Sequence, residues 1–149
     1  LLTDTVGFMQ KLPTQLISAF RAPHEELDTA DLLLHVVDGT ARTLEAQMVT
    51  VAQTVADLGL SATPMLTVVN KADGLTLLDG RPVTSEDDLA ALTAEHALPI
   101  EGEVLFTSAT LGLGIQALRQ RLLWEFYGES GVTPRYTGSA LALPEAGAL

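Results

Sequence analysis

The sequence MLTVVNKAD at residues 65–73 places a short apolar run directly before three specified polar residues. The run over residues 65–69 is rich in β-branched residues and is followed by turn residues, which favours a buried strand over a helix. Asn70, Lys71 and Asp73 then stand just beyond the carboxyl end of that strand. Ligands bind at this edge in open α/β sheets, so the stretch predicts both a sheet and the position of a site. The alternative is a plain strand-to-helix turn, held by Asn and Asp side-chain hydrogen bonds.

The rest of the chain alternates between strand and helix patterns. Short apolar runs predict further strands at residues 32–37 and 104–106, and the end of another strand at residues 1–4. Helical spacing of apolar residues predicts helices at residues 12–27 (interrupted by Pro23), 46–58, 84–96 and 115–126. This order predicts an α/β fold, a doubly wound and mostly parallel sheet with helices on both faces. Asp38 and Gly39, after the run at residues 32–37, indicate a structural turn.

Composition narrows the class of protein. The chain has 149 residues, of which 47% are hydrophobic and 18% charged, and its formal net charge is −11. Such a chain can bury a core, but its eight basic residues cannot neutralise many phosphates by bulk charge. Any anion must therefore be held locally. The absence of Cys excludes disulfides and thiolate metal sites.

The sequence also gives expectations about targeting signals and domain limits. No run reaches the roughly 18–20 apolar residues of a membrane span, and the start lacks a basic signal-peptide region, so we expect a cytoplasmic protein. The sequence leaves the oligomeric state open, with a monomer favoured. Residues 1–128 are expected to form part of one domain. Residues 129–149 are rich in Gly, Pro, Ser, Thr and Ala, which predicts a tail or the stub of a further module.

The polar residues after the strands at 65–69 and 104–106 suit guanine. Guanine presents two adjacent donors, N1–H and the exocyclic amino group, which one carboxylate accepts as a pair, and we assign this role to Asp73. Asn70 would tie the loop to neighbouring backbone, and the stem of Lys71 would lie along the purine face. Ser108 and Ala109 would present a backbone N–H to the guanine carbonyl oxygen. Such a site favours GTP over ATP, because the wrong base leaves buried polar groups unpaired.

The strand end at residues 1–4 suits the phosphate side of the same nucleotide. Asp4 begins a D-x-x-G pattern with Thr5, Val6 and Gly7. Asp4 is placed to orient Mg²⁺ through a water, as an aspartate at a strand end does in P-loop NTPases, and the Gly7 N–H can approach the γ-phosphate. Ras-like enzymes use a glutamine after this glycine to orient the attacking water. Phe8 stands there instead, and a phenyl ring cannot form that hydrogen bond.

Taken together, the chain resembles the HflX family, TRAFAC-class P-loop GTPases that associate with ribosomes. The resemblance rests on LLTDTVGF (residues 1–8), LP (12–13), AFRA (19–22), EE (25–26) and ADLLLHVVD (30–38), and it extends to about residue 124. It implies a Mg²⁺-dependent GTPase that binds GTP and GDP, associates with the large ribosomal subunit and splits stalled ribosomes. It also implies slow intrinsic hydrolysis that the ribosome stimulates, which agrees with Phe8. The family pattern lacks Pro23, which predicts a kink or restart in the helix at residues 12–27.

One expected motif does not occur in the chain. No glycine is followed by lysine, so there is no G-x-x-x-x-G-K-[ST] phosphate loop. The resemblance places this loop, the first strand and an N-terminal domain upstream of Leu1, and we expect the chain alone to be inactive. Two alternatives remain open, a truncated non-catalytic remnant that acts at most as a binding module, and a related GTPase of ribosome assembly or metal transport.

Overall fold

The computed structural model describes residues 29–96, 98 and 102–127. Strands and helices alternate along this part of the chain, as the sequence predicts. The elements are β1 (Leu33–Asp38), α1 (Leu44–Asp57), β2 (Met65–Asn70), α2 (Glu86–Glu95), β3 (Glu103–Phe106) and α3 (Ile115–Tyr127). A single 3-10 turn, Ala72–Gly74, follows β2.

The three strands form a parallel sheet in the order β1-β2-β3. Leu33 of β1 pairs with Met65 of β2, and Leu66 of β2 pairs with Glu103 of β3. β2 is the central strand, and its residues 66–69 are all buried, which explains why its sequence is mostly apolar, apart from Thr67, rather than alternating between apolar and polar residues. The carboxyl ends of all three strands therefore lie along one edge of the sheet.

Helices cover both faces of the sheet. Successive side chains along a strand point to opposite faces, so the same strands contribute to both contacts. One face packs against α2, through Val69, Phe106, Leu89 and Leu92. The other face packs against α3, through Leu66, Val68, Leu105, Leu118 and Leu122. The predicted α/β class with helices on both faces is confirmed for the described residues.

The start of α2 is fixed by a reciprocal cap. The Asp88 N–H donates to Ser85 Oγ at 3.2 Å, and Ser85 Oγ donates to Asp88 Oδ2 at 2.8 Å. Hydrogen bonds from Ser85 and Thr84 lower the pKa of Asp88 to about 2. Helix α2 therefore begins with a hydroxyl cap and with carboxylates in its first turn, where the helix dipole favours negative charge.

Some predicted elements lie outside the described residues. These are the strand at residues 1–4, the helix at 12–27 with Pro23, and the tail at 129–149. Within the part that the structure describes, no helix is long and apolar enough to cross a membrane.

Gly114, which precedes α3, should not tolerate a side chain. Its φ is +69°, and a Cβ there would lie 2.3 Å from the Phe106 carbonyl oxygen and 2.9 Å from Leu89 Cδ2. We expect Gly114→Ala to lower the free energy of unfolding by about 3 kcal/mol or more, because left-handed strain and overpacking add. Urea denaturation measures the loss.

Gly112→Ala is the matched control. Its φ is +73°, but nothing lies within 4 Å of its Cβ position, so only the backbone strain of about 1–2 kcal/mol applies. Equal losses for the two variants would contradict the packing argument.

Candidate functional site

The polar residues predicted from the sequence lie on two neighbouring loops at the carboxyl edge of the sheet. Asn70 is the last residue of β2, and Asp73 lies in the 3-10 turn that follows. Ser108 and Ala109 follow β3. Because β2 and β3 are adjacent and parallel, these two loops leave the sheet side by side.

Backbone hydrogen bonds join the two loops. The Thr107 N–H donates to the Val69 carbonyl at 2.9 Å, and the Ala72 N–H donates to the Thr107 carbonyl at 2.9 Å. These bonds continue the sheet pattern past the end of β3. The spacing of the loops is therefore set by the sheet.

The Asn70 side chain is the main polar link between the loops. Its Oδ1 accepts a hydrogen bond from the Ala109 N–H at 3.1 Å and another from Thr107 Oγ1 at 3.3 Å. Thr107 is buried, so this hydroxyl needs a partner inside the protein. The predicted role of Asn70 in tying the loop to neighbouring backbone agrees with this geometry.

Asp73 is held by Ser108. The hydroxyl of Ser108 donates to Asp73 Oδ1 at 2.5 Å and accepts from the Leu111 N–H at 3.2 Å. Ser108 is fully buried, whereas Asp73 is half-buried. No hydrogen bond to Asp73 Oδ2 is formed by residues 29–96, 98 or 102–127, so the second carboxylate oxygen keeps its accepting capacity.

Lys71 has a special backbone and a defined partner. Its φ is 64°, and it is the one non-glycine in the described ranges with a left-handed backbone. Its Nζ lies 2.6 Å from Asp38 Oδ2 at the end of β1. The hydrogen bond from Lys71 lowers the pKa of Asp38 to about 2, and bonds from Thr40 add to this effect.

Asp38 is therefore a site neighbour that the sequence reasoning treated only as a turn residue. It ends β1, one strand away from Asn70, and Asp38 pairs with Asn70 in the sheet register. Its position at the carboxyl end of a predicted strand was the one feature of the sequence that could have indicated a place near the site. The ion pair itself joins residues 33 positions apart, which no local pattern indicates.

Two glycines allow the β1 turn to approach the loop after β2. The Gly39 N–H donates to the Asn70 carbonyl at 2.8 Å, and a Cβ on Gly39 would lie 2.9 Å from Val69 Cγ1. A Cβ on Gly74 would lie 2.5 Å from Thr40 Cγ2. Close backbone approach thus brings Asp38 and Lys71 into the same cluster.

Known proteins with similar sequences are named as GTPases or as GTP-binding proteins. Over 122 residues, or 82% of the chain, it is 38% identical to the GTPase HflX of Magnetococcus marinus. Over 78 residues, or 52% of the chain, it is 45% identical to the GTPase HflX of Caldanaerobacter subterraneus. A chloroplastic GTP-binding protein of Arabidopsis thaliana is 42% identical over 110 residues, or 66% of the chain.

This chain belongs to the HflX family. The predicted resemblance is thus confirmed, and the parallel sheet is that of a P-loop NTPase-like α/β fragment. The chain spans about a fifth to a quarter of each relative, 18%, 25% and 18% of the Caldanaerobacter, Magnetococcus and Arabidopsis proteins. No protein-family model matches the chain.

The HflX-type residues predicted for the phosphate side lie outside the described residues. They are Asp4, Thr5, Val6, Gly7 and Phe8. Among the residues that are described, no group of three or more His, Cys, Asp or Glu side chains could hold a metal ion. The Mg²⁺ prediction therefore depends on Asp4.

An open cavity of about 460 Å³ is lined mainly by the turn after β1 and the start of α1, and it is not the predicted site. Arg42, Leu44, His96 and Phe106 are among its lining residues. None of the five residues predicted to bind guanine lines it. The predicted site is instead an open surface formed by the two loops of this HflX-family chain.

Ser108 should be needed to keep the two loops together. Ser108→Ala removes the acceptor of the Leu111 N–H and the donor to Asp73, and we expect the free energy of unfolding to fall by about 1–3 kcal/mol. Urea denaturation provides the measurement, with the exposed Ser61→Ala as the control. A loss no larger than that of Ser61→Ala would contradict the role of the buried hydroxyl.

Proposed function

We propose that this chain supplies the base-binding half of a GTP-binding and GTP-hydrolysing protein of the HflX type. Asn70, Lys71, Asp73, Ser108 and Ala109 form the guanine site in this proposal. The proposal is supported by the geometry of Asp73. Ser108 donates a hydrogen bond to one of its carboxylate oxygens, and the other accepts none from the described residues. Family membership gives independent support, since the similar proteins are named as GTPases or as GTP-binding.

Asp73 is the specificity determinant in this proposal. Its carboxylate accepts N1–H and the exocyclic amino group of guanine, and the Ser108 hydroxyl fixes its orientation at 2.5 Å. Adenine lacks this donor pair on the matching edge. An adenine base would therefore leave the carboxylate desolvated without its partners, which is the basis of discrimination.

The loop after β3 receives the guanine carbonyl oxygen. The Ala109 N–H already donates to Asn70 Oδ1 at 3.1 Å, and the Ser108 N–H donates to the Leu113 carbonyl at 2.9 Å. The base oxygen must then share the Ala109 N–H as a three-centre bond. Asn70 has two functions in this arrangement, because it aligns the same N–H that the base uses.

Lys71 covers one face of the base. Its long apolar stem is suited to lie along a purine while its charged end remains in a polar environment. The ammonium is 2.6 Å from Asp38, so the charged end has a partner on the protein. The nucleobase therefore meets mainly the methylene groups of the side chain.

The phosphate side of the proposal rests on residues 4–8 and on the family. Asp4 would order Mg²⁺ through a water, Gly7 would sense the γ-phosphate, and Thr5 and Val6 would complete this loop. Mg²⁺ when bound would neutralise charge that develops on the β- and γ-phosphates. Phe8 cannot orient water, which supports slow intrinsic hydrolysis.

The whole protein is proposed to act on ribosomes. By resemblance it associates with the large ribosomal subunit in the cytoplasm and splits stalled ribosomes, most simply as a monomer. Residues 1–128 would be part of its GTPase domain, and residues 129–149 a tail or the stub of another module. With a net charge of −11, this segment is not where we expect most ribosomal RNA contacts.

Substitution of Asp73 tests the guanine assignment. We expect Asp73→Asn in the full-length protein to weaken GDP binding on the order of 100-fold, because two hydrogen bonds to a charged acceptor are lost. Binding of xanthosine diphosphate should improve, since the amide can donate to the xanthine C2 oxygen. Fluorescence titration with both nucleotides measures the change in preference.

Asp57→Asn, on the exposed end of α1, is the control for loss of one carboxylate. It should leave both affinities unchanged. An Asp73→Asn protein that retains the original preference for guanine over xanthine would refute the assignment.

Residues 1–149 alone should bind GTP poorly and hydrolyse it negligibly. A phosphate loop supplies a lysine and a row of N–H groups to the phosphates, and this sequence has no such motif. Phosphate release by the purified chain provides the measurement, with the full-length protein as the comparison. Comparable turnover by both would contradict the expectation.

A further inference from the structure

Asp38 forms an ion pair with a residue of the proposed guanine site but is not itself one of the five proposed base-binding residues. It lies on β1, whereas the proposed base-binding residues lie on or after β2 and β3. Its Oδ2 is 2.6 Å from Lys71 Nζ, although the Lys71 side chain is 61% exposed and has access to solvent. An exposed lysine is thus held to one place by a residue of another strand.

The Asp38 carboxylate is also held by hydrogen bonds from its own turn, independently of Lys71. Its Oδ1 accepts from the Thr40 N–H at 2.9 Å and from Thr40 Oγ1 at 2.6 Å. Thr40 in turn lies so close to Gly74 that no Cβ fits between them. The β1 turn therefore presents Oδ2 to Lys71 from a fixed position.

The Lys71 backbone is constrained as well. A left-handed backbone is unfavourable for a lysine and persists only where the surroundings hold it. The neighbouring Ala72 N–H is bonded to the Thr107 carbonyl at 2.9 Å, and the ammonium is bonded to Asp38. Both ends of the lysine are thus anchored, and the methylene stem spans the distance between them.

We propose that Asp38 is a positioning residue for guanine-nucleotide binding, which holds the Lys71 ammonium so that the lysine stem is already placed to cover the base. This proposal rests on the proposed function. A free lysine would lose rotamer freedom when the nucleotide binds, and the ion pair removes that freedom beforehand. Asp38 touches no part of the nucleotide itself.

The test is a double-mutant cycle in the full-length protein. The variants are Asp38→Asn, which keeps the shape and removes the charge, Lys71→Met, which keeps the apolar stem, and the two combined. Titration with fluorescent GDP and GTP gives the dissociation constants. Asp38→Asn alone should weaken binding about three- to fivefold, the range of an exposed ion pair. In the Lys71→Met background the same change should have almost no effect.

Asp79→Asn is the matched control. Asp79 Oδ2 lies 2.7 Å from Arg81 Nε, and the Arg81 side chain is also 61% exposed. This pair resembles the Asp38 pair but includes none of the five proposed guanine-binding residues and is bonded to none of them, so Asp79→Asn should leave nucleotide affinity unchanged. Because Lys71 faces the base, the Asp38→Asn loss should also be the same for GDP and GTP.

The outcomes separate the two proposals. A protein that binds GDP, but in which Asp38→Asn has no effect or has the same effect with Lys71 and with Met at position 71, overturns only the role of Asp38. Unequal losses for GDP and GTP also overturn it, because they indicate a phosphate contact. Failure of the unsubstituted protein to prefer GDP over ADP overturns the proposed function itself.

Discussion

The hydrogen bond from the Ala109 N–H to Asn70 Oδ1 is the contact on which the site depends. It spans 3.1 Å between two loops that follow adjacent parallel strands. The backbone bond from Ala72 to Thr107 and the bond from Ser108 to Asp73 also join these loops, but only the Asn70 side chain fixes the direction of the Ala109 N–H. With these bonds, groups 39 residues apart in sequence become one surface whose geometry the sheet controls.

The described strands and helices could be predicted from the sequence because local residue patterns determine them. β2 is buried along residues 66–69 and has a nearly continuous apolar run, broken only by Thr67, while Ser85 caps α2 within three residues of Asp88. The position of Asn70 and Asp73 followed from the rule that parallel strands end at one edge. The Lys71–Asp38 pair did not follow, because an Asp-Gly turn is common and its partner is fixed only by three-dimensional packing.

The ion pair between Lys71 and Asp38 shows how an acidic chain can contain a lysine at the proposed base site without a net positive charge there. Lys71 is a cation within the proposed base site, and Asp38 balances its charge at 2.6 Å. In the proposed function, the described part of the site would therefore bind guanine by hydrogen-bond pattern and apolar contact rather than by positive charge. Charge neutralisation of the phosphates is left to other residues, which is consistent with a domain whose two halves recognise different parts of one ligand.

The contact between Thr40 and Gly74 has a consequence for sequence divergence. Only the Thr40 methyl group, Cγ2, excludes a side chain at position 74, since Thr40 Cβ is 3.9 Å from the Cβ position there. A serine at position 40 would keep the hydroxyl that binds Asp38 and would open the space that alanine needs. Relatives are therefore expected to exchange these two residues together, threonine with glycine or serine with alanine, and the pair offers a compensated substitution for protein engineering.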